Sequence, residues 1–134
     1  MPGAPVVAII NTSDDLVELL KTALEAAGFI VVVTHIRDIR AAQFDVDAFL
    51  KLHDPRVIVY DVAAPFDRNW RFMEHIRSSP GFAGRHFVIT TVNVRAVAEM
   101  VKTDEKVYEV VGRESDIRDV VQAVREATRA RPTR

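Results

Sequence analysis

The residues with most chemical potential follow directly after short apolar runs: Asn11-Thr12-Ser13, then Asp61, then Thr90-Thr91, then Gly112-Arg113. Together they supply one carboxylate, several hydroxyls and a fixed cation. That set suits an anion or a phosphoryl group, with Asp61 as nucleophile or metal ligand, a threonine hydroxyl bonding an oxygen, and Arg113 neutralising charge. A purely structural alternative is that polar residues end strands and Arg113 pairs with Asp61. The stretch IINTSDDLVELL, Ile9 to Leu20, adds two acids, Asp14 and Asp15. They stand where a helical pattern begins, so their expected work is to cap free N–H groups and oppose the helix dipole.

Asp61 and its neighbours meet only if the apolar runs form one sheet. The runs are Val6 to Ile10, Phe29 to Val33, Val57 to Tyr60, His86 to Thr90 and Val107 to Val111. Between them lie segments of helical period. Leu16, Leu19, Leu20, Ala23, Leu24 and Ala27 fall three and four apart, and Gly28 stands where a helix stops. Further helices are expected over Val46 to His53, Asn69 to Arg77, Arg95 to Val101, and from a Ser115-Asp116 cap to Thr128. Asp54-Pro55 and Ser78-Ser79-Pro80-Gly81 break the pattern. Five strands alternating with five helices predict a doubly wound α/β sandwich, in which function sits beyond the carboxyl ends of the strands.

Composition removes several classes. The 134 residues, 49% hydrophobic, fit a single domain with a core over about Val6 to Thr128 and a frayed tail from Arg129 to Arg134. Lys and Arg total 18 against 19 for Asp and Glu, which gives no broad footprint for nucleic acid or an anionic membrane. The absence of cysteine excludes thiolate chemistry and Cys-built zinc sites. No signal peptide or membrane span is legible, so a cytoplasmic protein is expected. His35, His53, His75 and His86 are scattered without ligand spacing, Trp70, Phe72, Met73 and Ile76 read as a core stripe with Phe66 and Trp70 as alternative exposed anchors, and Arg68, Arg71, Arg77 and Arg85 read as a solvated basic face.

The segment VIVYDVAAP, Val57 to Pro65, resembles the third strand of response-regulator receiver domains, where the phosphoacceptor aspartate is followed four positions later by proline. Measured from Asp61, Thr91 and Arg113 fall where that family places its hydroxyl residue and its lysine. The resemblance covers nearly the whole chain. It implies a flavodoxin-like sheet of order 2-1-3-4-5, Asp61 as phosphoacceptor, and Thr91 and Arg113 as phosphoryl contacts.

Departures accompany the matches. Asn11 and Thr12 stand where receivers carry two adjacent acids that hold Mg²⁺, a hard ion favouring carboxylates. Asp61 is the remaining carboxylate for such an ion, with Asp14 a distant substitute. Arg113 replaces lysine, Glu114-Ser115 replaces Pro-Phe, Val110 replaces the switch aromatic with Tyr108 two residues before it, and Val92 replaces a small residue. The resemblance therefore points to an atypical or pseudo-receiver: a signalling module of two-component or phosphorelay type without an output domain, not an enzyme and requiring no cofactor. Its partners would be a histidine kinase or downstream target, with a homodimer through the fourth helix, fifth strand and fifth helix carrying Tyr108, Arg118 and Val121. From another class, the same fold could bind a small molecule or nucleotide phosphate at the Asn11-Thr12-Ser13 helix start, though no glycine-rich loop follows the first strand.

Overall fold

The computed structural model describes residues 4–11, 14–40, 45–101, 106–111 and 113–129. Its strands are β1 (Val6–Asn11), β2 (Ile30–His35), β3 (Val57–Asp61), β4 (His86–Thr91) and β5 (Val107–Glu109). The helices are α1 (Asp14–Ala26), α2 (Ile36–Arg40), α3 (Val46–His53), α4 (Phe66–Arg77), α5 (Val94–Ala98) and α6 (Glu114–Arg129). The order β2-β1-β3-β4-β5, all parallel, is the one expected.

The central strands β1, β3 and β4 run apolar on both faces because each face is covered. Val7, Ile9, Val57, Val59 and Val88 pack under α1 and α6, against Leu20, Leu24, Val120 and Val124. Ala8, Ile10, Ile58, Tyr60 and Ile89 pack under the opposite layer, against Leu50, Trp70, Met73 and Val97. The alternation is the pleat of a strand, so residues two apart share a layer. This parity decides what faces Asp61.

The short α2 was not expected from the sequence. Its apolar residues, Ile36 and Ile39, lie three apart in HIRDIR, a run too brief to stand out by periodicity. α4 begins at Phe66 rather than Asn69, because Asn69 donates both to Pro65 O through its backbone and to Ala63 O through its side chain, tying the β3–α4 loop to the first turn. Gly28 has φ +98°, the left-handed conformation that the stop after α1 requires. Asp54 takes the same region at φ 46° to close α3, its N–H donating to Leu50 O at 2.8 Å.

Candidate functional site

The strand order reverses between β1 and β3, where crossovers leave from opposite faces and open a crevice at the carboxyl ends. Asn11 and Asp61 end those two strands. The register pairs Ile10 with Tyr60, so the two polar residues follow one step further along neighbouring strands. Both share the parity of Ile9 and Val59 and turn toward the α1/α6 layer. Asn11 is 1% exposed and Asp61 is 5% exposed.

The hydroxyl that reaches Asp61 belongs to Thr90. Its Oγ1 donates to Asp61 Oδ1 at 2.8 Å, and the register places the two residues opposite each other. Thr91, the residue expected from spacing, is one step out of phase and shares Ile89's face. Its Oγ1 donates to Val62 O at 2.8 Å and accepts from the Asn93 N–H at 3.3 Å, which holds the start of α5. The structure thus brings Asp61, Thr90 and Asn11 together and leaves Thr91 outside. Strand parity measured from Val88 is the sequence signal that identifies Thr90.

Arg113 is engaged elsewhere. Its Nε and Nη2 donate to Asp116 Oδ1 at 3.2 and 2.9 Å, so the pairing expected with Asp61 is replaced by a local one. Asp116, 4% exposed, also accepts from the backbone N–H groups of Val111 and Arg113 at 2.9 and 3.3 Å. That carboxylate sits three residues after Arg113 and reaches back over the start of α6, as the acid of a capping box does. Ser115-Asp116 is therefore not the residue pair before the helix but lies within its first turn. The Arg113 side chain and the two amides hold the Asp116 carboxyl below its usual range, the guanidinium hydrogen bond being the largest cause.

Asp61 is shifted the other way. Burial pushes its carboxyl up, and the Thr90 hydrogen bond opposes that only in part. Among the described residues the site is thus a desolvated carboxylate beside a neutral carboxamide, with the Thr90 hydroxyl as donor.

These described donors do not fit Mg²⁺. The ion favours several carboxylate or water oxygens in octahedral array, whereas Asn11 brings no charge and Thr90 directs its proton at the Asp61 carboxylate. Among the described residues no group of three or more His, Asp or Glu residues is placed to hold a metal ion. Thr12, Ser13, Gly112 and the side chain of Asp14 lie outside the described residues; Asp14 opens α1 and Asp15 is exposed on its first turn.

Other expected residues resolve clearly. Trp70, Met73 and Ile76 are core, at 2, 0 and 5% exposure, so Trp70 is no surface anchor, and Phe66 packs partly buried against the same cluster. Val110, 1% exposed, fills the switch position as a core residue, while Val92 is exposed. Tyr108 lies in the field of Glu126 and Asp119, and Arg118 and Val121 line a groove with Ala23 and Ala26 of α1. Arg85 is not part of a solvated face; its side chain is 16% exposed and pinned among backbone carbonyls. No helix among the described residues is long and apolar enough to cross a membrane.

No protein-family model matches the chain, and no curated protein sequence does. Solved structures do. A response regulator from Thermotoga maritima aligns at TM-score 0.69 and 15% identity, covering 95% of this chain and 99% of the other. A chemotaxis response regulator of Vibrio cholerae aligns at TM-score 0.64 and 17% identity, over 90% and 98%. An orphan response regulator of H. pylori aligns at TM-score 0.58 and 14% identity, over 95% and 98%. The chain has the CheY-like receiver fold.

Proposed function

We propose that this receiver fold serves as a two-component or phosphorelay signalling module that acts through contacts with other proteins, with a phosphorylation site too altered for the usual metal-assisted transfer. The observation that carries this reading is Asp61: it stands at the end of the central β3, buried, bonded to Thr90 and flanked by neutral Asn11. Phosphoryl transfer to a carboxylate builds negative charge that needs neutralising. Here the nearest carboxamide carries none, and the local cation Arg113 is committed to Asp116. The module then works by binding rather than turnover, its partners being a kinase or a downstream target.

Intact-mass measurement after incubation with acetyl phosphate and Mg²⁺ tests this. The expected spectrum keeps the unmodified mass as its main peak. A stoichiometric phosphoryl adduct that disappears in Asp61→Asn would overturn the altered-site reading and make the protein a phosphorylated receiver.

A further inference from the structure

At the opposite edge of the sheet, where the strands begin, a cleft of about 530 Å³ is lined by Ala4, Pro5, Val6, His53, Asp54, Pro55, Arg56, Ala83, Gly84 and Arg85. Its volume lies within the range of small-molecule sites, roughly 300–1,000 Å³. Two of its side chains are arginines, one is a histidine, one is acidic, and the rest are short. Such walls let a ligand come close to the backbone while meeting fixed positive charge.

The register explains why the two arginines stand together. Val57 pairs with His86, and the His86 N–H donates to Arg56 O at 3.1 Å, so Arg56 and Arg85 precede paired residues on adjacent strands. Arg85 is rigidly placed: Nε donates to Gly81 O at 3.0 Å, and Nη1 donates to Asp54 Oδ1 at 2.8 Å and Pro55 O at 2.7 Å. Nη2 makes only a 3.5 Å contact with Leu50 O, which leaves donor capacity on a guanidinium already held in position. The Leu50 carbonyl, a helix-end acceptor, is occupied by the Asp54 N–H. Asp54 itself is 84% exposed in its side chain, so its carboxylate can leave Arg85 for water.

We propose that this cleft is a binding site for a small phosphorylated ligand. Its phosphoryl oxygens span Arg85 and Arg56, which precede neighbouring strands, displacing the Asp54 carboxylate, while the rest of the molecule lies over Pro5, Pro55 and Gly84. A tetrahedral group with several oxygens and more than one negative charge matches two guanidinium groups better than a single planar carboxylate does. The site stands apart from Asp61 and does not depend on how Asp61 is used.

The test uses inorganic pyrophosphate and adenosine triphosphate without metal, against sodium chloride at matched ionic strength, read by thermal midpoint and two-dimensional amide NMR. The expected result is a saturable rise in midpoint with shifts confined to the amides of Ala83, Gly84, Arg85 and Arg56. Arg56→Ala weakens apparent affinity by about tenfold, the scale of one charge-assisted hydrogen bond. Asp54→Asn, which keeps a residue tolerant of positive φ, tightens it. No saturable effect, equal affinity in Arg56→Ala, or shifts clustered at Asn11 and Asp61 would each overturn the assignment.

Discussion

Asp61→Asn makes the protein more stable at neutral pH, by on the order of 1–2 kcal/mol, the scale of desolvating a polar group with too few partners. Asp61 is buried with one neutral donor, and burial raises its carboxyl above the ordinary value. A carboxyl whose folded value exceeds its unfolded value contributes stability that is complete below the unfolded value, about 3.9, and is lost as pH rises through the folded one. The wild type therefore loses ground to Asp61→Asn as pH climbs from about 4 toward neutrality. The amide keeps an oxygen for the Thr90 hydroxyl, so the hydrogen bond survives the substitution. Asp116 has the opposite sign: its lowered value gives stability that holds above the unfolded value and disappears on acidification, in both proteins alike. Urea unfolding of the two proteins across a pH series separates these contributions. A difference that stays constant from pH 4 to pH 8, or an Asn variant that is the less stable at neutral pH, would show that Asp61 has a counter-charge when folded.

Trp70→Ala costs about 3–5 kcal/mol, the range for removing a large aromatic from a core, and Trp70→Phe costs far less. Trp70 is 2% exposed and packs among Ile10, Val62 and Met73 in the layer opposite α1. Its indole N–H is buried with no hydrogen-bond partner among the described residues. Burying an unpaired donor is unfavourable, so phenylalanine loses ring volume but also removes that penalty. Alanine recovers the same penalty and leaves a cavity. Because this is the single tryptophan, unfolding of the variants is followed by circular dichroism rather than fluorescence. Equal losses for Phe and Ala would mean that the N–H is satisfied by a buried water.

How much of this was legible in the sequence depends on what each residue had to reveal. The apolar runs placed five strands within a residue or two, and in β1, β3 and β4 burial on both faces leaves an uninterrupted signal. The helix Val46–His53 was read to the residue, since Asp45 caps it and Asp54-Pro55 stops it. Asp61 was found because it ends such a run. Its partner was not, because spacing counted from a family pattern pointed to Thr91, and only the pleat tells that Thr90 turns to the same side. The partner of Arg113 was missed for a related reason: pairing across the sheet edge was weighed, but a closer carboxylate three residues on was overlooked. Arg85 looked like surface because charge patterning cannot show that a turn, Gly81 to Arg85, folds a guanidinium back onto carbonyls contributed by a distant segment.

The place of β1 between β2 and β3 also governs the order in which the protein can form. A growing chain makes β1 and β2 first, but β1 has a second edge that waits for Val57–Asp61 to emerge. Until then the VVAIIN segment has one open side and its Ile9 face is only partly covered by α1, since α6, which completes the roof over Ile9 and Val59, follows all five strands in the chain. Closure of the sheet's centre is thus a late, non-local event, which slows folding relative to a protein built from sequential neighbours and ties the burial of Asp61 to completion of the whole domain.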